Sequence, residues 1–332
     1  MKTYRLQQIG SVDGLELCEE PVPTPAAGEV LVRIKANSLN FRDLAILQGW
    51  MPFGVEEGRV PLSDAAGIVE AIGPGVTRFK VGDSVVNSTM PNWFGGPFRE
   101  LPLQYGIHLD GWLSQYRCVS EQEIVAMPAF LTFAEAASLP CAAVTAWTAL
   151  AGVGPGQTVL TQGTGGVSLF ALQLAKASGA RVIATTSSEA KAARLRDLGA
   201  DHVINYKTAE TWGEQAKHLG GGYGIDRIVE VGGSGTLAQS LKAVAIGGQI
   251  SLVGVLAQGQ MPGFMDIFMA QATLQPIPSG SRRDLEDMLK VFAQHRLHPQ
   301  IDRTFSFEDA RAAFSHFGAR DLFGKVVITQ DD

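Results

Sequence analysis

Thr158-Val-Leu-Thr-Gln162-Gly163-Thr-Gly165-Gly166-Val167-Ser168-Leu-Phe-Ala-Leu-Gln-Leu-Ala-Lys176 is the stretch whose reading decides the fold. It opens as a short apolar strand, turns on glycines and closes as an amphipathic helix, the context that a dinucleotide-binding turn requires. Gly163 permits the tight turn. Gly165 lets backbone come close to a pyrophosphate, and the free amides at the helix start receive its negative charge. Ser168 stands at the third glycine position, where a hydroxymethyl is still small enough for close helix–strand packing.

Downstream of this turn the same unit recurs. Strands read at Arg181-Val-Ile-Ala-Thr185, His202-Val-Ile-Asn-Tyr206, Asp226-Arg-Ile-Val-Glu230 and Gln249-Ile-Ser-Leu-Val253, with helical patterns such as Glu189–Leu198 between them. Apolar strands alternating with such helices predict a doubly wound parallel sheet covered on both faces. The end of the second strand is where an NAD site places an acid on the ribose 2′-hydroxyl. Here the chain reads Thr185-Thr-Ser187-Ser188-Glu-Ala-Lys191. Ser187, Ser188 and Lys191 suit a 2′-phosphate that an aspartate would repel, so NADPH is the expected cofactor. Glu189 argues against this unless its side chain points to solvent. A plain serine N-cap beside a surface lysine is the alternative.

Upstream the pattern changes. Glu29-Val-Leu-Val-Arg-Ile-Lys35 alternates with period two, and Ala66–Ile72, Gly82–Val86 and Trp112–Val119 are further short strands between glycine or proline turns. They predict a partly open β-barrel. Helices resume at Thr132-Phe-Ala-Glu135, a capping box, and run on through Ala142–Leu150. After the parallel sheet come a helix near Arg283–Gln294, a helix opened by Ser306 and a last strand, Lys325–Thr329. The irregular segment Trp93–Asp110 is rich in glycine, proline and aromatics, as functional loops often are.

Composition narrows the function. The 332 residues carry 27 Lys+Arg against 33 Asp+Glu, a net charge of 27 − 33 = −6, with 18% charged and 45% hydrophobic residues. That balance disfavours nucleic acid, excludes a disordered chain and predicts large cores. No apolar stretch is long enough to cross a bilayer and no secretory leader is read, so a cytoplasmic protein without a membrane partner is expected. Three scattered cysteines, Cys18, Cys118 and Cys141, fit neither a disulfide framework nor a thiolate zinc site.

On these residues the chain resembles the medium-chain dehydrogenase/reductase superfamily. It is similar to that superfamily's zinc-independent quinone oxidoreductase and enoyl reductase branch. The resemblance runs nearly end to end, through Pro25–Arg33, Asn37-Ser-Leu-Asn-Phe-Arg-Asp43, Gly73–Asp83, Leu139-Pro-Cys-Ala-Ala-Val-Thr-Ala-Trp147, Leu198–Tyr206 and Phe323-Gly-Lys-Val-Val-Ile328. It implies a GroES-like catalytic domain from residues 1–126 and 266–332, a Rossmann domain from 127–265, and an active site in the cleft. It also implies a homodimer, for which the last strand of the central sheet needs edge protection.

Carried over by position, Gly163, Gly165, Gly166 and Val167 meet the pyrophosphate, while Ser187, Ser188, Lys191 and Tyr206 surround the 2′-phosphate. Thr145, Gly254 and Val255 hold the nicotinamide end, and Phe323, Gly324 and Lys325 return to close the site. Asn40 and Asp43 match the branch's Asn-x-x-Asp near the reacting ring and are the implied catalytic pair. Two positions depart from the pattern: Met51 stands where several members have a tyrosine, and Leu322 where many have a histidine. No proton donor is therefore assigned. Zinc-dependent relatives carry a cysteine at Asn40 and Gly-His-Glu at Leu62-Ser63-Asp64, so no zinc is expected, and His295 and His298 read as surface residues. Trp50, Trp93 and Phe94 are candidates for an apolar wall against a conjugated substrate, or else core residues, and Met51 is a further substrate-site candidate. Three readings follow: a quinone or enone reductase, a zinc-free alcohol dehydrogenase or ketone reductase, and a non-catalytic NADPH-binding protein of the lens-crystallin kind.

Overall fold

In the computed structural model, residues 1–51, 54–101 and 103–330 are described; Pro102, inside the irregular Trp93–Asp110 segment, lies outside them. In chain order the strands and helices are β1 (Lys2–Leu6), β2 (Leu15–Glu19), β3 (Glu29–Ser38), α1 (Phe41–Leu47), β4 (Asp64–Ile72), β5 (Ser84–Asn87), β6 (Tyr116–Ser120), β7 (Ile124–Ala126), α2 (Phe133–Ala137) and α3 (Ala142–Ala149). There follow β8 (Thr158–Gln162), α4 (Gly166–Ala177), β9 (Arg181–Thr186), α5 (Glu189–Asp197), β10 (His202–Asn205), α6 (Trp212–Leu219), β11 (Ile225–Glu230), α7 (Leu237–Ala243), β12 (Val244–Leu252), α8 (Phe264–Ala270) and β13 (Thr273–Pro276). The chain ends with α9 (Arg282–His295), β14 (Ile301–Ser306), α10 (Ala310–Gly318) and β15 (Lys325–Thr329).

Two compact units form, Met1–Val144 with Gly280–Asp332, and Thr145–Ser279. The boundaries fall later than residues 127 and 265. Helix α2 packs on β3, β4 and β15 and so joins the first unit, whereas β13 pairs with β12 and stays in the second. The helices expected between Thr132 and Leu150 form as α2 and α3, on either side of Pro140, which lacks the amide a continuing helix needs. The helix expected to open at Ser306 starts at Ala310, because the Ser306 hydroxyl donates to Asp309 (2.8 Å) and closes a turn first.

In the first unit, β3 is the spine. It pairs antiparallel with β4, β6 and β15, and the sheet continues from β15 to β14 and from β4 through β5 to β7. Its alternation buries Val30, Val32 and Ile34 in a core with Val69, Val85 and Trp112. The strand expected at Trp112 begins at Tyr116. Trp112 instead packs its ring in that core beneath the Arg117 guanidinium, 5.4 Å from the ring centre. Gly324 introduces β15 at φ +111°, and a Cβ there would stand 2.1 Å from the Gln300 carbonyl oxygen, so only glycine fits.

The second unit is a six-stranded parallel sheet in the order β10-β9-β8-β11-β12-β13. The order in which the strands are added reverses between β8 and β11, the switch point outside whose strand ends dinucleotides bind. All five residues of β8 are buried, as its apolar run requires. At the end of β11 the fully buried Glu230 carboxylate accepts from Gln162 Nε2 (2.8 Å), the amides of Gly232 (2.9 Å) and Gly233 (3.0 Å), and the hydroxyls of Thr236 and Ser240. Five donors replace the water that a buried charge loses. Glu230→Ala should orphan them and destabilise the protein by about 3 kcal/mol; a urea unfolding midpoint unchanged from wild type would contradict this.

Candidate active site

In the second unit the glycine turn is built as a phosphate cradle. Gly163 sits at φ +73°, and Gly165 precedes α4 with no side-chain cap on the helix and open space where a Cβ would be. The first amides of α4 are therefore available to an anion, with the helix dipole behind them. Ser168 does more than fill the third glycine position: its buried hydroxyl donates to the Gln162 carbonyl at 2.6 Å and ties helix to strand. These residues fit a dinucleotide pyrophosphate. Val167 is half-buried one residue into the helix.

The β9 end carries Thr185 and Thr186, both buried, and no acid. Ser188 caps α5 by accepting from the Lys191 amide (3.3 Å), while the Glu189 carboxylate accepts from Asn205 Nδ2 (3.1 Å). Ser187 and Lys191 are half-buried and Tyr206 is exposed beyond β10. Thr145 is buried and donates to Ser279 (3.3 Å). Gly254 and the exposed Val255 follow β12, packed against the loop that Glu230 organises. Sequence reading passed over Glu230, whose one signal is an acid closing the strand directly after Ile228-Val229.

In the first unit, side chains from five segments converge. Asn40 precedes α1, and its backbone N–H donates to the Asp43 carboxylate (2.8 Å). Asn40 Nδ2 lies 3.4 Å from Ser63 Oγ, which donates onward to Asp64 Oδ1 (2.8 Å). Asp64 also accepts from the Cys141 amide (3.1 Å) and the Thr89 hydroxyl (3.5 Å). Lys325, grouped by sequence with the cofactor residues, is committed to this cluster: its ammonium donates to Asn40 Oδ1 (2.5 Å) and the Leu39 carbonyl (2.7 Å). Asn40, Asp43, Ser63, Asp64 and Lys325 are all buried. Burial pushes the Asp43 carboxyl up to about 6, against the pull of Arg42, whose guanidinium stands 3.5 Å away. Burial and Asp64 push the Cys141 thiol up to about 12.

Trp50, Trp93 and Phe94, expected as an apolar wall, and the substrate candidate Met51 each have contacts of their own. Met51 packs on the core around Leu44 and Ile46, and the exposed Trp50 leans on Phe41 (6.3 Å between centroids) under Arg320. Trp93 and Phe94 instead meet the start of α9, where their carbonyls accept from the Arg282 and Arg283 amides. Phe323 is buried beside Gly324 and its amide donates to Asp302 (2.9 Å).

Comparison with known proteins gives this arrangement its lineage. Residues 26–129 match the alcohol dehydrogenase GroES-like domain and residues 166–294 the zinc-binding dehydrogenase domain. A Schizosaccharomyces pombe zinc-type alcohol dehydrogenase-like protein is 39% identical over 98% of this chain and 97% of its own. The chain belongs to the medium-chain dehydrogenase/reductase superfamily. An acryloyl-coenzyme A reductase of Metallosphaera sedula is 30% identical over 96% of this chain and 98% of its own. A solved NAD-dependent alcohol dehydrogenase superposes with a TM-score of 0.92 at 32% identity, covering 99% of each chain. This member of the superfamily is thus a medium-chain oxidoreductase.

Zinc, the metal named in one of the two family models, does not fit the first unit's cluster. Tetrahedral zinc takes thiolates and imidazoles, with carboxylates beside them in catalytic sites. Here the donors are an amide oxygen, a serine hydroxyl, two carboxylates and a cysteine thiol, with no imidazole among the described residues of the cluster, and an ammonium already occupies the amide oxygen. Among the described residues, no three His, Cys, Asp or Glu groups stand together to hold a metal.

Asp43 also gives the fold a pH signature. Its carboxyl titrates near 3.8 when free and about 6 when folded, so the folded state binds the proton more tightly. The resulting stability is complete below about pH 4 and is lost as pH rises through 6. Against Asp43→Asn, wild type should therefore lose about 3 kcal/mol between pH 4 and 7. Urea unfolding at each pH measures this, and a pH-independent difference would contradict it.

Proposed function

We propose that the chain is an NADPH-dependent, zinc-independent reductase that delivers hydride to a quinone or to the activated C=C bond of an enone or enoyl substrate. The observation that carries this reading is the Asn40–Lys325 cluster: an amide and an ammonium in place of metal ligands. The nicotinamide supplies the hydride; the chain's own residues must receive the negative charge that appears on the acceptor. A simple ketone concentrates that charge on one oxygen and calls for a strong electrophile, whereas a conjugated acceptor spreads it and is served by an amide donor. The acryloyl-coenzyme A reductase relative supports the enoyl side. A zinc-free alcohol dehydrogenase is the second reading; the names of the other relatives favour its alcohol dehydrogenase part, not the absence of zinc.

NADPH over NADH rests on the β9 end. No acid stands there to repel a 2′-phosphate, Glu189 is drawn to Asn205, and Lys191 is placed one turn into α5. The proposed partner is a second copy of this chain. Among the described residues no strand pairs with the outer edge of β13, and α8 just before it exposes Phe264, Met265, Phe268 and Met269. Among the described residues no helix is long and apolar enough to cross a membrane, and a cytoplasmic setting is proposed.

NADPH oxidation by chelator-washed protein over a panel of quinones, enones, enoyl thioesters and ketones tests the reaction. Quinones or enones should turn over well above simple ketones; turnover of ketones or aliphatic alcohols alone would favour the dehydrogenase reading. Lys191→Ala should weaken NADPH binding by about tenfold and leave NADH unchanged, since it removes one charge-assisted bond. Equal losses for both nucleotides would reject the 2′-phosphate assignment.

A further inference from the structure

A lysine is almost never fully buried without a partner, and an apolar side chain of similar length would fill the same space without losing hydration. Lys325 is 3% exposed, and its surroundings are arranged for a charge. Gly324 sets the direction of β15, and β15 pairs with β3 so that the Leu39 amide donates to the Val326 carbonyl (3.0 Å). That pairing delivers the ammonium to the Leu39 carbonyl and Asn40 Oδ1, across 285 residues of sequence.

An ammonium only donates, so it fixes which way the Asn40 amide faces: oxygen toward Lys325, nitrogen away. A cation on the oxygen of an amide draws electron density from its nitrogen and strengthens the N–H groups as donors. Of the two Asn40 Nδ2 protons, one has Ser63 Oγ at 3.4 Å, a long contact, and no described residue takes the other. Asn40, at 7%, is also more exposed than Asp43, Asp64 or Lys325.

From this geometry, and resting on the reductase reading above, we propose that Lys325 is a positioning residue that acts through Asn40. Its ammonium holds and polarises the amide, which then donates to the acceptor oxygen as that oxygen gains charge. The chain thus supplies from its own last strand the positive charge that zinc-dependent relatives take from a metal. The charged and titratable groups around Lys325 are Asp64, Cys141 and Asp43, with Arg42 against Asp43. Burial lowers the ammonium's pKa from the ordinary lysine range, and the three acidic groups partly oppose it. Activity that needs the ammonium therefore declines as pH rises through this lowered value.

The test compares full-length wild type with Lys325→Met, Asn40→Ala and the double variant. It measures kcat and KM for a benzoquinone or cyclohexenone acceptor across pH, with NADPH affinity by fluorescence as the control. Lys325→Met should lower kcat by about 100-fold, leave NADPH affinity within about twofold and lose the alkaline limb of the kcat profile. The double variant should be no worse than the more damaged single one, because the two residues act as a unit. An unchanged kcat, a persisting alkaline limb or multiplicative losses in the double variant would overturn the proposal. If Lys325→Met does not fold, Asn40→Asp decides instead. It keeps an acceptor for the ammonium but removes the donor, so kcat should fall with folding retained, and an undiminished kcat would overturn the proposal. If wild type reduces neither acceptor, the reductase reading fails, and the same variants on whatever substrate it does turn over still decide the role of Lys325.

Discussion

A cation removed from water costs several kcal/mol unless oxygens and opposite charges take the place of the solvent, and the first unit is arranged around that requirement at Lys325. The β15–β3 pairing, the left-handed turn at Gly324 and the Leu39 carbonyl all serve to seat one ammonium. Asn40 meets it directly, and the carboxylates of Asp43 and Asp64 balance it from farther away. The same seat orients the one amide in the cluster that has a proton to offer. Fold and chemistry are linked at this point: what neutralises the buried charge also prepares the donor.

The second unit solves the opposite problem. Its buried charge is the Glu230 carboxylate, satisfied by two hydroxyls, one side-chain amide and two backbone amides. Those donors belong to β8, to the loop after β11 and to α7, so the carboxylate holds together the strand ends at the sheet's switch point. The loop after β12 packs on the same backbone, with Gly233 against Val255. An anion-binding turn at Gly163–Gly166 needs such a frame, since amides aimed at a phosphate act only if their directions are fixed in advance.

What the sequence revealed follows from how local each feature is. The turn at Gly163, the α5 cap at Ser188 and the alternation of β3 are set by neighbours a few residues apart, and they were legible. Asn40 and Asp43 came only from the family resemblance, as its Asn-x-x-Asp; that Asn40 opens α1 is known from the structure. The role of Lys325 was not legible, because its partner lies at the far end of the chain and a lysine in Phe-Gly-Lys has no periodicity to betray burial. Trp50, Trp93 and Phe94 were grouped by chemistry alone, and Met51 was added from its place in the family pattern. Their backbones lead elsewhere, to the α1 core and the start of α9, and no local pattern records that. Glu230 was invisible for a similar reason: five donors from separate segments define it, and none is adjacent in sequence except the two glycine amides that follow.

The central claim is that hydride is delivered to a conjugated carbon. The most direct measurement is the position of the label in the product when NADPH deuterated at C4, on the transferred face, reduces an enone such as cyclohexenone, read by NMR. Deuterium at the β-carbon of a saturated ketone is the predicted result. Deuterium at the carbonyl carbon of an allylic alcohol would contradict the account.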